Sequence, residues 1–339
     1  MSVHACGGIM FFNSFSGIFY TSWGVFALLL SLGVIFVNGF TDAPNAIASP
    51  VCSGAVSMKS ACLISAVFNF GGVFLISIVN SSVAECVFSL AGFDGPFGIC
   101  AFCASFASII IFGVVAWYFG MPSSESHAMI ASLAGASLAL HGSFSTGEKF
   151  LQIIVFTILS SLFAFALSFF SSKLFRKDKL PYRQLQVFTC ITTSFMHGAQ
   201  DGQKFIGIML FLINSGKESI GFSIPVSLIL TVSAIMALGT SLGGGRIIKS
   251  LGENTVKLDF RRGFVSDICA SVSLFISSIL GFPVSTSNIK ACSVIGEGVS
   301  DREKVNKKTA ASVLAVSVIT FPVCFMLGYL LTLLFVCIY

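Results

Sequence analysis

Charge is the scarcest feature of this chain. Only 10% of its 339 residues are Asp, Glu, Lys or Arg, against about a quarter in soluble globular domains, and that shortage excludes a soluble fold. There are 4 His and 11 Cys, none grouped at the spacing of a metal centre; the cysteines are scattered through apolar stretches and read as small buried hydrophobes, not as a disulfide frame. Strict alternation of polar and apolar residues is weak, which argues against an outer-membrane barrel. No polar stretch is long enough to house a nucleic-acid-binding domain. What is abundant is apolar: 55% hydrophobic residues, mean hydropathy +0.95, 37 Phe and 32 Gly. Bulky lipid-facing side chains combined with small residues at close helix contacts describe an all-α polytopic membrane protein.

The formal charge of +5 acquires meaning from its placement. Most of the 19 cations fall at Lys59 and in three clusters, Lys173 to Arg183, Arg246 to Arg262 and Arg302 to Lys308. By the positive-inside rule these mark the cytoplasmic face. Residues 1 to 20 carry no cationic stretch before an apolar one and no clear cleavage site, so no signal peptide is expected. The expected location is a bacterial inner (cytoplasmic) membrane.

The apolar run from Trp23 to Val56 is interrupted by GFTDAPNA, Gly39 to Ala46. It places Asp42 at bilayer depth, where a charge costs about 3 kcal/mol on insertion scales and therefore marks a cavity or an ion path. Gly39, Pro44 and Asn45 break the helix there and free backbone groups to face a ligand. A second interruption, Pro122 to Gly135 (PSSESHAMIASLAG), follows the apolar stretch from Phe97. Its neighbouring loops, Asn80 to Gly95 and His141 to Lys149, are polar but poorly basic, so Phe97 to Leu140 is expected to enter and leave from the outer face as a hairpin.

Both landmarks recur. GAQDGQKFIG, Gly198 to Gly207, follows GFTDAPNAIA by 159 positions and pairs Asp201 with Asp42; Pro283 to Gly296 follows Pro122 to Gly135 by 161. The chain is thus expected to comprise an N-terminal segment (1–20), a first repeat (21–172), a basic cytoplasmic linker (173–184) and a second repeat (185–339). Each repeat has an odd number of crossings plus one hairpin, Gly263 to Gly298 being the second and opening inward. The second copy is therefore upside down, the inverted-repeat plan of secondary transporters, in which broken helices meet at the midplane.

These interruptions bring candidate ligands of two kinds. Asp42 and Asp201, with the oxygens of Thr41, Asn45 and Gln200, suit sodium or a proton. The hydroxyls of Ser123, Ser124, Ser126, Ser285, Thr286 and Ser287, together with Lys204 and free helix N-termini, suit an oxyanion. A site holding both suits an anion carried with a cation, whose charge offsets that of the anion in a low dielectric. Lys204 and Lys290 also have structural alternatives, as ion-pair partners of Asp201 and Asp267. For His127 and His197 a structural hydrogen bond is the plainer reading.

Taken together, GFTDAPNA, HGAQDGQKFIG (His197 to Gly207), PSSESHA and PVSTSN resemble the signatures and hairpin motifs of the inorganic phosphate transporter (PiT) family. The stretch Gly245 to Phe264 also resembles that family's loop before the second hairpin, and the resemblance runs from about residue 25 to the C-terminus. It implies a cation-coupled symporter importing inorganic phosphate by alternating access, not an enzyme, with no cofactor beyond sodium or protons. It also implies that Gln203 joins Asp42, Asn45, Asp201, Lys204 and the hairpin hydroxyls in the site. The chain departs from the family at Thr41 and Gln200, where Asn is usual, at Asn288, where His is usual, and at the pair Ser124 and Glu125. Partners expected are phosphate, the coupling cation and the bilayer; a homo-oligomer is left open. Two alternatives stand beside this one: a sulfate permease on the same scaffold, since both anions suit the same donors, and an intramembrane aspartyl protease, which needs two carboxylates sharing a proton.

Overall fold

The computed structural model describes residues 21–90, 93, 97–121, 123–141, 147–175, 180–214, 222–243, 245, 248, 256–302 and 305–339. The expected N-terminal segment, Pro122, the loop residues Asp94, Lys217 and Glu218, and the cations Arg176, Lys177, Lys179, Arg246, Lys249 and Lys304 lie outside them. The described residues are mostly helical, with no strand among them. In the first half run α1 (Ser22–Thr41), α2 (Pro44–Cys52), α3 (Met58–Val79), the short α4 (Ser82–Phe88), α5 (Gly98–Tyr118), α6 (Glu125–His141) and α7 (Gly147–Leu174). In the second half come α8 (Tyr182–His197), a π-helical turn (Gly198–Gly202), α9 (Gln203–Asn214), α10 (Val226–Leu242), α11 (Phe260–Ile279), α12 (Thr286–Ser300) and α13 (Lys307–Ile338). Among them, 6 helical stretches are long and apolar enough to cross a bilayer, and large side chains such as Leu29, Leu63, Phe163, Phe170 and Leu334 remain exposed for lipid. This is an integral membrane protein.

Local chemistry sets the boundaries. Thr21 caps α1 by accepting from the Gly24 amide at 3.0 Å, Ser57 caps α3 through Ser60 at 3.3 Å, and Asp259 caps α11 through Arg262 at 2.8 Å; each satisfies an amide that the helix leaves without a partner. The break expected at Asp42 is present, between α1 and α2. Pro44 lacks an amide hydrogen, so the chain turns over Asp42 and Ala43, whose amides share the Asn38 carbonyl at 2.8 and 3.3 Å before α2 begins at Pro44. Its counterpart around Asp201 contains no proline. There the helix widens into a π turn instead of breaking, the common way an inserted residue is absorbed at a working position.

Each hairpin joins unequal arms. α5 has 21 residues and α6 has 17; α11 has 20 and α12 has 15. The longer arms reach about 30 Å at the usual helical rise, long enough for a full span.

The halves pack reciprocally. α1 lies on α10 and α3 on α8, while α6 packs against α13 and α12 against α7. A β-carbon on Gly239 would meet the Phe36 carbonyl at 2.3 Å, and one on Gly72 would meet the Phe195 carbonyl at 2.0 Å; Phe195 follows Phe36 by the same 159 positions that separate the aspartates. In the hairpins, Gly135 abuts the Phe325 carbonyl and its counterpart Gly296 abuts that of Phe165. Backbones approach this closely only where side chains are missing.

Candidate functional site

The α1–α2 break, the π turn and the starts of α6 and α12 converge on one cluster. Every side chain the sequence singled out for it is at least nine-tenths buried. At its centre, Thr286 Oγ1 lies 3.2 Å from Asp42 Oδ2 and 3.3 Å from Asp201 Oδ2. Asp42 Oδ1 accepts from Asn45 Nδ2 at 2.6 Å and from Ser287 Oγ at 2.6 Å. Asp201 Oδ1 accepts from Lys204 Nζ at 2.5 Å. That ammonium also donates to Ser126 Oγ at 2.5 Å and to the Val284 carbonyl at 2.6 Å, so one cation ties the π turn to both hairpins.

The repeat shows in the bonds themselves. Asn45 and Lys204 stand three residues after their aspartates, at equivalent positions, and each bonds its own carboxylate. Ser126 donates to the Val284 carbonyl at 3.1 Å, while its counterpart Ser287 lies 2.9 Å from the carbonyl of Ser123, the counterpart of Val284. The hairpin tips are thus clasped reciprocally.

Other expected residues have different tasks. Ser124 and Ser285 are helix caps, accepting from the amides of His127 and Asn288 at 3.3 and 3.2 Å. Gln203 faces α4, where its Oε1 accepts from the Ala84 amide at 3.4 Å. Gln200 donates to the Phe282 carbonyl at 3.1 Å while its Oε1 is left unpaired. Thr41 Oγ1 lies 2.5 Å from Glu125 Oε1 and 2.8 Å from the Val37 carbonyl. Lys290 is ion-paired with Asp267, beside Thr189. His127 stacks on Phe321 with ring centroids 4.5 Å apart, and Asn288 accepts from Ser317 at 2.6 Å.

Two further neighbours bind the carboxylates: Asn38, which lies just before the first signature and escapes a reading of it, and His197, which opens the second and was expected to make a structural hydrogen bond. Asn38 donates to Asp201 Oδ2 at 3.2 Å, and His197 Nε2 lies 3.3 Å from the same oxygen. Each stands four residues before a signature aspartate, hence on the same helical face, and 159 positions apart. That doubled spacing was available in the sequence. Asp42, His197 and Asp201 offer ligand atoms all within 4.8 Å of one another, a geometry that can hold a cation. A cavity of about 10 Å³, with Asn45, Thr193, His197, Thr286 and Lys290 in its wall, adjoins the cluster.

Broken helices and paired-arm hairpins around buried carboxylates, an ammonium and hydroxyls define a membrane carrier. The chain belongs to the phosphate transporter family, whose model matches residues 38–183 and 171–328. A probable low-affinity inorganic phosphate transporter of Bacillus subtilis is 32% identical over 316 residues, covering 90% of this chain and 94% of that one. Another of that description from Rhizobium meliloti is 32% identical, covering 85% and 89%. A putative phosphate permease of Pyrococcus horikoshii is 22% identical, covering 89% and 95%. Among solved structures, one described as the sodium-dependent phosphate transporter superposes with a TM-score of 0.83 over 94% of this chain and all of that one, at 17% identity, and so shares the fold. Membership in a transporter family removes the protease alternative; the chain is not an enzyme.

Proposed function

We propose that the protein imports inorganic phosphate together with a cation, by alternating access between two inverted halves of the bacterial inner membrane protein. Family membership supports the substrate, and the sodium-dependent description of the structural relative accords with a cation partner. The observation that carries the reading is the convergence of Asp42, Asp201, Lys204, Ser126, Thr286 and Ser287 in one buried cluster. A dianion entering among the hydroxyls and the ammonium takes over donors that now serve the carboxylates. Binding it is then favourable only once a cation has satisfied Asp42 and Asp201, and this dependence of one ligand on the other is the coupling. Because Lys204 and the Ser126 and Ser287 clasps join the two hairpins to the π turn, exchanging these donors loosens one contact set as another forms, the requirement for opening to alternate sides.

The test is uptake of radiolabelled phosphate by Asp42→Asn and Asp201→Asn proteins. Each loses coupled uptake while eluting as folded, inserted protein; normal uptake in both sinks the assignment.

A further inference from the structure

Three helix ends meet in a place that the transport scheme does not use. α7 ends at Leu174, α8 starts at Tyr182 and α11 starts at Phe260, all beside basic clusters that the positive-inside rule puts at the inner face of the bilayer. They are bound to one another there. The Tyr182 hydroxyl donates to the Phe175 carbonyl at 3.0 Å, and the rings of Tyr182 and Phe175 both pack on Phe264 of α11. Arg261 Nη1 donates to the Ser172 carbonyl of α7 at 3.4 Å. Between these ends opens a cavity of about 420 Å³, with Leu180, Tyr182, Arg183, Asp259, Phe260 and Arg261 in its wall.

Part of the wall is cationic. Arg183 is exposed and pairs with no carboxylate among the described residues. The acid in the wall, Asp259, is already engaged, since it caps α11 and lies 3.5 Å from Arg262. Arg261 and Arg262 in turn face Asp301 and Glu297. Lys173 follows the residue that accepts from Arg261, and Lys257 supplies the carbonyl that accepts from Arg262 at 3.1 Å; both lysines are exposed. These cations outnumber Asp259, Glu297 and Asp301, so positive charge is left over, and it is centred on Arg183.

The rest of the wall is apolar. Leu180 and Phe260 are exposed despite their size, as are Phe188 further along α8 and Phe170 and Leu174 near the end of α7. A cation, an amphipathic tyrosine and an apolar flank at one depth match the boundary between the headgroup and the acyl chains of a phospholipid. A free anion would make no use of the flank.

We propose that this cavity binds an anionic phospholipid of the inner leaflet, with its phosphate on Arg183 and its acyl chains along Leu180, Phe260 and Phe188. The planar guanidinium can meet two phosphate oxygens at once. Such a lipid joins the last helix of the first half to the first arm of the second hairpin. Its binding does not depend on which solute the protein carries.

The experiment is native mass spectrometry of the purified full chain from a neutral detergent supplied with equal amounts of phosphatidylglycerol and phosphatidylcholine. The unsubstituted protein retains phosphatidylglycerol in excess; equal retention of the two overturns the site. Arg183→Gln lowers the retained phosphatidylglycerol about fivefold, the attraction of one basic side chain to an anionic membrane surface. Arg183→Glu lowers it further, and Phe260→Ser lowers it without changing the preference for the anionic lipid. Lys149→Gln, which removes a cation at the opposite end of α7, leaves retention as it was. Unchanged retention in both Arg183 variants, or an equal fall in Lys149→Gln, overturns the proposal. So does an Arg183→Gln protein that loses bound radiolabelled inorganic phosphate yet keeps phosphatidylglycerol, because the cavity then takes the free anion.

Discussion

Lys204 holds more of the site together than any other side chain, through Asp201, Ser126 and the Val284 carbonyl. Because both members of the pair are 1–2% exposed, removing the ammonium strands a carboxylate in a dry interior, a loss of about 3–5 kcal/mol. Lys204→Met is accordingly expected to lower the thermal unfolding midpoint in detergent and to abolish uptake. Adding Asp201→Asn removes the stranded charge, so the double variant regains much of the lost midpoint but not transport. An unchanged midpoint in Lys204→Met would show that the pair carries no structural weight. The sequence disclosed Lys204 and both aspartates, because a charge in an apolar run is conspicuous. It disclosed Asn38 less well, since its bond to Asp201 depends on how α1 meets the π turn. Gln203 illustrates the reverse: its place in the signature pointed to the site, yet its side chain turns to α4, because the π turn sets the direction in which it projects.

Helix pairs show what the glycines are for. Gly71 and Gly72 are neighbours on α3 with opposite surroundings. A β-carbon on Gly72 would lie 2.0 Å from the Phe195 carbonyl, whereas one on Gly71 would make ordinary contact, 3.9 Å from the Phe195 ring. Gly72→Ala must push α3 off α8, and overpacking of this kind costs about 1–3 kcal/mol or more. Gly71→Ala gains up to about 1 kcal/mol of helix propensity. The unfolding midpoint of Gly72→Ala is thus expected to fall while that of Gly71→Ala holds or rises, and Gly239→Ala on α10 should behave like Gly72→Ala. Equal midpoints for the adjacent substitutions would contradict the close approach. Helix boundaries were mostly legible, from Pro44 and from capping residues such as Thr21, Ser57 and Asp259. The π turn was not, because nothing in Gly198 to Gly202 distinguishes a widened turn from a broken one.

Over the whole molecule, the repeated spacing of the signatures and of the hairpin motifs foretold the reciprocal packing, since equal offsets in sequence become equivalent contacts once both copies fold alike. The clasp between Ser126 and Val284 on one side and Ser287 and Ser123 on the other is that symmetry written in hydrogen bonds. If this paired architecture moves phosphate uphill at the expense of a cation gradient, the protein reconstituted in proteoliposomes will show it when radiolabelled phosphate is followed under an imposed sodium gradient, under a proton gradient, and with excess unlabelled sulfate. Accumulation above equilibrium is expected under one of the two gradients, which names the cation, and it is undiminished by sulfate. Accumulation of sulfate in place of phosphate, or phosphate that only equilibrates whatever the gradient, would contradict phosphate symport.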